Sequence, residues 1–247
     1  MYPRFGGGAR LHVYDALAST QDAAREYATS HGAAVVRHAF YTENQTAGRG
    51  RPGKTWHAPP GANVNLTVIV PPVAPADRWR ITIAVAVAVA DTVAGFVPGD
   101  AARVRFPNDI LLGGKKVAGI LVEIADGLPL VGIGINGRRG AGAMPPDVAV
   151  RCTTIETHTG APVDLCAVRD TVLTYLAVVW ETWFHDNDFA AILSRWHTLH
   201  DANTRRTFTL RGEPVSCRVL GVTEAGDVTI ELPSGVRETL PVAHVLL

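Results

Sequence analysis

The sequence predicts an α+β fold: a mixed β-sheet backed by helices on one face, followed by a small C-terminal β-barrel. Three observations carry this. RVRF (103–106), DILL (109–112), KKVAGILVEIA (115–125) and PLVGIGIN (129–136) form a run of short β segments joined by glycine turns, which reads as a meander. Two long apolar-periodic stretches, about 164–185 and 187–200, read as helices anchored by Leu173, Trp180, Trp183, Phe184, Leu193 and Trp196. Beyond Asp201–Thr204 the texture changes to TFTL, VSCRVLGV, DVTIEL and RETLPV, split by Arg211-Gly212, Ala225-Gly226-Asp227 and Pro233-Ser234-Gly235.

From the N-terminus, RLHVYDAL (10–17) reads as a strand. Ser19 opens STQD, an N-cap pattern with Asp22 at the third position after it, so a helix is expected over about 20–31, ending near Gly32. AAVVRHAFY (33–41) and NVNLTVIV (63–70) have strand composition, and Pro71-Pro72 stop the second. Residues 42–62 between them are a Gly-, Pro- and Asn-rich loop. Residues 78–96 alternate Val and Ala like a strand, but their length, with no turn signal before Gly95, favours a buried helix. The C-terminal β segments suggest an SH3-like barrel, too small to stand securely alone. The division expected is 1–202 for the main domain and 203–247 for the barrel.

The chain has 247 residues, of which 47% are hydrophobic, enough for a sizeable core. Lys+Arg and Asp+Glu both number 23, so no global attraction to nucleic acid or anionic membrane is expected. Cys152, Cys166 and Cys217 lie far apart with no CxxC pair, and read as buried reduced thiols of a cytoplasmic protein. MYPRFGGGAR lacks an apolar h-region, so no secretory signal is expected. The apolar run from Ile81 is interrupted by Thr82 and Asp91 before reaching membrane-spanning length.

Chemistry concentrates in TAGRGRPGKTW (46–56), with Gly48, Gly50 and Gly53 among Arg49, Arg51 and Lys54, closed by Trp56. Glycines allow close backbone approach to a ligand. Two arginines two apart in an extended loop point to similar sides and can converge on one oxyanion. Trp56 offers a stacking face or, equally, a core anchor. The loop reads as an anion clamp with an aromatic lid, or as a solvated basic turn. No Gx4GK[ST] loop appears, nor a GxGxxG after the first strand. His197-x-x-His200 has helical metal-ligand spacing but lacks a third ligand, and reads as surface or capping. Asp186-Asn187-Asp188 reads as a helix junction and N-cap, and Arg138-Arg139 as a basic turn or a triphosphate contact.

Four strings in order, TENQTAGRGRPGKTWHAPPGANVNLTV, RFPNDILLGGKKVAGILVE, VGIGIN and the upstream Ser19-Thr20-Gln21, resemble the biotin protein ligase family, in its class without an N-terminal DNA-binding domain. The resemblance covers nearly the whole chain. It implies a fold like class II aminoacyl-tRNA synthetases and biotin ligases. It also implies a two-step reaction: biotin and MgATP give biotinoyl-5′-AMP and pyrophosphate, and a lysine of a biotin carboxyl carrier protein domain then attacks the mixed anhydride. Biotin, ATP and Mg²⁺ are the implied ligands, and the carrier domain of a biotin-dependent carboxylase is the implied partner. Neither DNA nor membrane is expected to bind, and the chain is expected to be a monomer or homodimer.

By the same resemblance, Ser19, Thr20, Gln21, Gln45, Arg49, Gly50, Arg51, Lys116 and Gly119 contact biotin. Gly48, Arg49, Arg51, Trp56, Asn108, Lys116 and Asn136 contact ATP or the adenylate. Arg51 and Lys116 act in catalysis, and Asp109 binds Mg²⁺ or orients the incoming lysine. Each residue also has a plain structural reading: Ser19 as an N-cap, Gln45 as a solvated loop residue, Lys116 as a solvated hairpin lysine, Gly119 as a bulge, and Asp109 and Asn136 as turn formers. The chain departs from the family pattern at Arg105-Phe106 in place of Lys-Trp, at Asn65 in place of an aromatic, at Ala58 in the Trp56-His57-Ala58-Pro59 string, and at Ala243 in place of a glycine. Lipoyl or octanoyl ligases and transferases share the fold; a thiol relay would need a cysteine at the acyl site, and the cysteines lie outside every motif. A non-catalytic biotin-binding module would not need phosphate-facing cations such as Arg51 and Lys116.

Overall fold

The computed structural model describes residues 10–99, 102–140, 144–210 and 212–242. The departure at Ala243 and the turn residue Arg211 lie outside them. β1 (Leu11–Val13) crosses through α1 (Thr20–His31) to β2 (Ala39–Thr42), which lies parallel to it. β3 (Asn63–Ile69) pairs antiparallel with β2. α2 (Arg78–Phe96) follows, and then the meander β4 (Arg103–Arg105), β5 (Asp109–Leu112), β6 (Lys115–Ala125) and β7 (Leu128–Asn136). The strand order is β1-β2-β3-β7-β6-β5-β4, a mixed sheet with one parallel pair and antiparallel neighbours elsewhere.

Period-two alternation decides what each face does. On β3, Val64, Leu66 and Val68 enter the main core with α2, while Thr67 turns to the other face and donates to Thr20 Oγ1 at 2.8 Å. On β7, Val131, Ile133 and Ile135 join the same core, leaving Leu130, Gly132 and Gly134 for the opposite face. That face is covered only in part. α1 seats Ala24 and Ala28 against Phe40, Ile69, Ala125 and Leu130. The helices were expected on one face; α1 lies across the sheet from α2, and the uncovered remainder of its face becomes the floor of the pocket.

α2 is buried on all sides from Ile83 to Ala90, as expected for a helix apolar all round. Its bounds are those expected, but the apolar run does not fall short of membrane-spanning length: Pro75–Phe96 is long and apolar enough to cross a membrane, and 72% of its apolar window is buried inside the protein. Its alanines let it lie between the sheet, α5 (Leu165–Trp180) and α6 (Phe189–Leu199). Two short helices before these, α3 (Pro146–Ala149) and α4 (Ile155–Thr159), were not anticipated. α5 continues into one π turn, Glu181–His185, which leaves Phe184 39% exposed rather than anchoring the core. Asp188 caps α6, its carboxylate accepting from Ala191 N–H at 2.9 Å, as the junction reading holds. The expected strand over 33–41 is only β2. Gly32–Val35 form a 3₁₀ turn and Arg37 takes φ 73°, because the chain must reverse after α1 to run parallel to β1.

β8 (Arg205–Leu210), β9 (Glu213–Val222), β10 (Asp227–Glu231) and β11 (Arg237–Pro241) form a second, antiparallel sheet in the order β11-β10-β9-β8. Its buried residues Phe208, Cys217, Val219, Val228 and Ile230 belong to the same continuous core as α2 and α6. His200 joins the two parts: one ring nitrogen faces the Val104 carbonyl on β4 at 3.2 Å and the other the Val219 carbonyl on β9 at 2.8 Å. His197 bonds the Val222 carbonyl at 2.9 Å. The pair docks α6 against the second sheet.

Candidate active site

A cavity of about 650 Å³ opens where α1 leaves the sheet uncovered. Its floor is Gly119 on β6 with Gly132 and Gly134 on β7. One wall is the start of α1. Ser19 takes an extended φ of −153° at the cap position, yet its side chain makes no capping bond, so the plain N-cap reading does not hold. Thr20 donates both N–H (2.9 Å) and hydroxyl (3.2 Å) to Gln45 Oε1, tying α1 to the following loop. Gln21 is 4% exposed and its Nε2 reaches the carbonyls of Leu121 (3.3 Å) and Leu130 (3.4 Å). Its Oε1 is buried without a protein partner, an acceptor that lacks a donor.

The roof is the glycine-rich loop, folded as a short hairpin. Gly50 N–H donates to the Lys54 carbonyl at 2.9 Å, Trp56 N–H to the Gly48 carbonyl at 3.0 Å, and Lys54 N–H to the Arg51 carbonyl at 2.9 Å. Pro52 and Gly53 (φ 74°) form the tip, the residue pair that a type II turn favours. Gly48 is not among the cavity-lining residues. A Cβ there would meet the Trp56 carbonyl at 2.6 Å, so it permits the close approach of the hairpin's two arms.

The two arginines do not converge as expected. Arg49 forks onto Asp22 of α1 with two bonds of 2.7 Å and lies 3.8 Å from Glu123. That fork holds the Asp22 carboxyl below the usual carboxylate range. Arg49 therefore pins the hairpin to α1; both arginines line the cavity, Arg49 with its guanidinium committed to Asp22. Trp56 lies on the floor: a Cβ on Gly134 would stand 2.4 Å from its ring, and one on Gly119 at 3.3 Å. Its Nε1 donates to Asn65 Oδ1 at 3.1 Å, which gives the unexpected asparagine a partner.

At the far end stands a charge cluster. Asp109, 5% exposed, lies 2.6 Å from Lys116 Nζ, 2.9 Å from Arg105 and 3.4 Å from Arg206. Burial pushes its carboxyl up, but Lys116, then Arg206 and Arg105, outweigh burial and hold it below the usual range. A metal at Asp109 would have to displace one of these cations. Both of its oxygens face cations, and no cluster of three or more His, Cys, Asp or Glu occurs among the described residues. Lys116 is not a solvated hairpin lysine: its Nζ also lies 5.6 Å from the Trp56 ring.

Asn108 and Asn136 line the cavity, but their amides brace backbone. Asn108 Nδ2 donates to the Ile120 carbonyl at 2.8 Å. Asn136 Nδ2 donates to Thr153 O at 3.1 Å while its Oδ1 accepts from Asn63 at 2.8 Å. Ser19, Thr20, Gln21, Gln45, Arg49, Gly50, Arg51, Trp56, Asn108, Asp109, Lys116, Gly119 and Asn136 thus share one cavity.

Sequence reasoning missed two further contributions. Met144, Val148, Val150, Arg151 and Cys152 form a rim, held where Lys116 N–H donates to the Arg151 carbonyl and Thr153 N–H to the Lys116 carbonyl, both at 2.9 Å. Cys152 therefore lines the cavity although it lies outside every motif, and burial pushes its thiol up despite Lys116 and Arg151. Arg206 arrives from the second sheet. Neither segment carries a motif; only the tertiary pairing brings them in.

Residues 17–136 match the model of the biotin/lipoate A/B protein ligase family. The biotin–[acetyl-CoA-carboxylase] ligase of Paracoccus denitrificans is 32% identical over 219 residues, which cover 81% of this chain and 86% of that protein. The bifunctional ligase/repressor BirA of Bacillus subtilis is 29% identical over 245 residues, 94% of this chain and 72% of the relative. In fold the chain is similar to the biotin protein ligase from Aquifex aeolicus in complex with biotin and ATP, with a TM-score of 0.78, 21% identity, and coverage of 95% of this chain and 97% of that one. The cavity residues from Ser19 to Asn136 lie inside the matched segment, and the chain belongs to the biotin protein ligase family.

Proposed function

We propose that this cavity activates biotin with ATP to biotinoyl-5′-AMP and passes the acyl group to a lysine of a biotin carboxyl carrier protein domain. The observation that carries the reading is the pairing of two unlike ends in one cavity. Gln21 offers a buried acceptor lacking a donor, which suits a ureido N–H. Lys116, Arg51, Arg105 and Arg206 supply excess positive charge for a carboxylate and a polyphosphate. Leu121, whose carbonyl holds Gln21, and Lys116 lie on one strand, roughly 16 Å apart at about 3.3 Å per residue.

In the first step a carboxylate oxygen of biotin attacks the α-phosphorus of ATP and pyrophosphate leaves. Repulsion between the two anions is the main obstacle, and Lys116 and Arg51 offset it. In the second step the carrier amine attacks the acyl carbon, AMP leaves with the bonding pair, and the amine loses its proton. Asp109, paired with Lys116, Arg105 and Arg206, orients cations and the incoming amine. The hairpin over Trp56 keeps water from the anhydride. Asp109 is the carboxylate in the cavity that would hold a magnesium ion together with phosphate oxygens, once a paired cation moves aside. The four-stranded second sheet is read as an SH3-like barrel beginning at residue 203, and the protein as cytoplasmic.

Biotin-dependent exchange of labelled pyrophosphate into ATP tests the reading, and its absence in the purified chain would end it. A second reading, lipoyl or octanoyl transfer through a thiol, is favoured by one observation: Cys152 lines the cavity beside Lys116. Cys152→Ser is expected to keep biotin transfer within about threefold of wild type, since the mixed anhydride needs no thiol. Loss of transfer in that variant, with an acyl thioester trapped on wild type, would favour the relay instead.

A further inference from the structure

Arg206 belongs to the second sheet, yet its guanidinium enters the charge cluster of the first domain. Nη1 donates to the Phe106 carbonyl at 2.8 Å and lies 3.4 Å from Asp109 Oδ2. It therefore grips both ends of the Phe106–Asp109 turn that carries the buried carboxylate. Asp109 has three cationic neighbours and Arg105 shares its Oδ2 side, while Lys116 alone is paired with Oδ1 at 2.6 Å. Lys116 is also the cation with a flexible stem and a cavity to turn into.

A buried carboxylate stripped of countercharge is costly. If Lys116 is to leave Asp109 for the ligand, the charge remaining at Asp109 must be met by the residues that stay. Arg105 and Arg206 stay: Arg105 lies on β4, and Arg206 is fixed to backbone by its second bond. We propose that Arg206 is a positioning residue of the adenylation step, a cation lent by the C-terminal domain that holds Asp109 in place of Lys116 and so releases the lysine to the acyl carboxylate and α-phosphate. This rests on the ligase reading above. It ties the first half-reaction to one guanidinium of the second sheet rather than to the tightness of that sheet's packing.

Three full-length variants test it in biotin-dependent pyrophosphate exchange. Arg206→Gln keeps hydrogen-bonding capacity and removes the charge; its kcat is expected to fall about tenfold or more, with KM for biotin changed less than about threefold. Arg206→Lys restores charge without the two-point fork and is expected to fall between the two. Phe208→Leu loosens the same interface, where Phe208 packs against Phe106 with ring centroids 6.2 Å apart, and is expected to lower the melting temperature with kcat near wild type. Competitive acetylation of Lys116, read by mass spectrometry without substrates, is the second measurement. Arg206→Gln should make Lys116 less reactive, because Asp109 then holds it harder. Wild-type kcat in Arg206→Gln, an equal kcat loss in Phe208→Leu, or unchanged Lys116 labelling would overturn the proposal. Since labelling needs no catalysis, it judges the charge sharing even if the ligase reading itself fails on wild type.

Discussion

At the scale of single residues, the site rests on an ammonium held between an acid and an aromatic. Lys116 contacts Asp109 and faces Trp56, so its removal deletes the cation best placed to offset charge in the first step. Lys116→Ala is expected to lower adenylate formation by about 10²–10³-fold, the range seen when a preorganised charge-stabilising group is lost. Biotin affinity, measured by calorimetry without ATP, should be partly retained, because Gln21 and Gln45 lie at the other end of the cavity; similar exchange rates for variant and wild type would remove the assignment. How much of this was legible depends on the residue. Gln21, Gln45, Arg51, Trp56 and Lys116 sit in strings whose order betrays them. The direction of Arg49 was not legible, because its partner Asp22 comes from another element and only the fold brings the two within 2.7 Å. Asn65, which stands where the family pattern has an aromatic, lines the cavity and is the acceptor for Trp56.

At the scale of elements, periodicity foretold nearly every long strand and helix, including α2, where length decided against the strand-like Val/Ala alternation. What it could not foretell was local reversal: the 3₁₀ turn after α1 and the short α3 and α4 follow from where the chain must go next, not from its own pattern. The histidines of α6 show the same limit. Read alone they are surface or metal-like; folded, they are the seam between the sheets. His200 is buried between two carbonyls and stacks on Trp196 at 4.3 Å, and burial, against the pull of those carbonyls and Asp201, lowers its pKa, with His197 adding to the decrease. The folded protein thus binds the proton less readily than the unfolded chain. Its stabilisation is whole above the ordinary value of about 6.5 and is lost as pH falls below it toward the depressed folded value. Melting temperature should therefore decline on acidification through this window, and His200→Gln should flatten the decline; an identical pH profile in the variant would show that other groups carry it.

At the scale of the whole molecule, the second sheet is better described as a covering of the main core than as an appendage. Arg80 donates to the Glu224 carbonyl at 3.2 Å, Trp79 lies beneath the turn at Gly226, and Phe106 meets Phe208, so α2, β4 and α6 all end against it. A sheet of some forty residues buries too little apolar surface to persist by itself, and its core side chains are continuous with those of α2. The two parts should consequently melt in one transition, despite a sequence texture that changes abruptly near residue 203. Gly226 gives a point of leverage. Its φ of 84° disfavours any side chain, and a Cβ there would stand 2.8 Å from Trp79 Nε1. Gly226→Ala should cost about 1–3 kcal/mol through strain and lost docking, and lower the single calorimetric midpoint without splitting it. Two separated peaks, with the larger at the wild-type temperature, would mean that the sheets fold independently and that the shared core does not couple them.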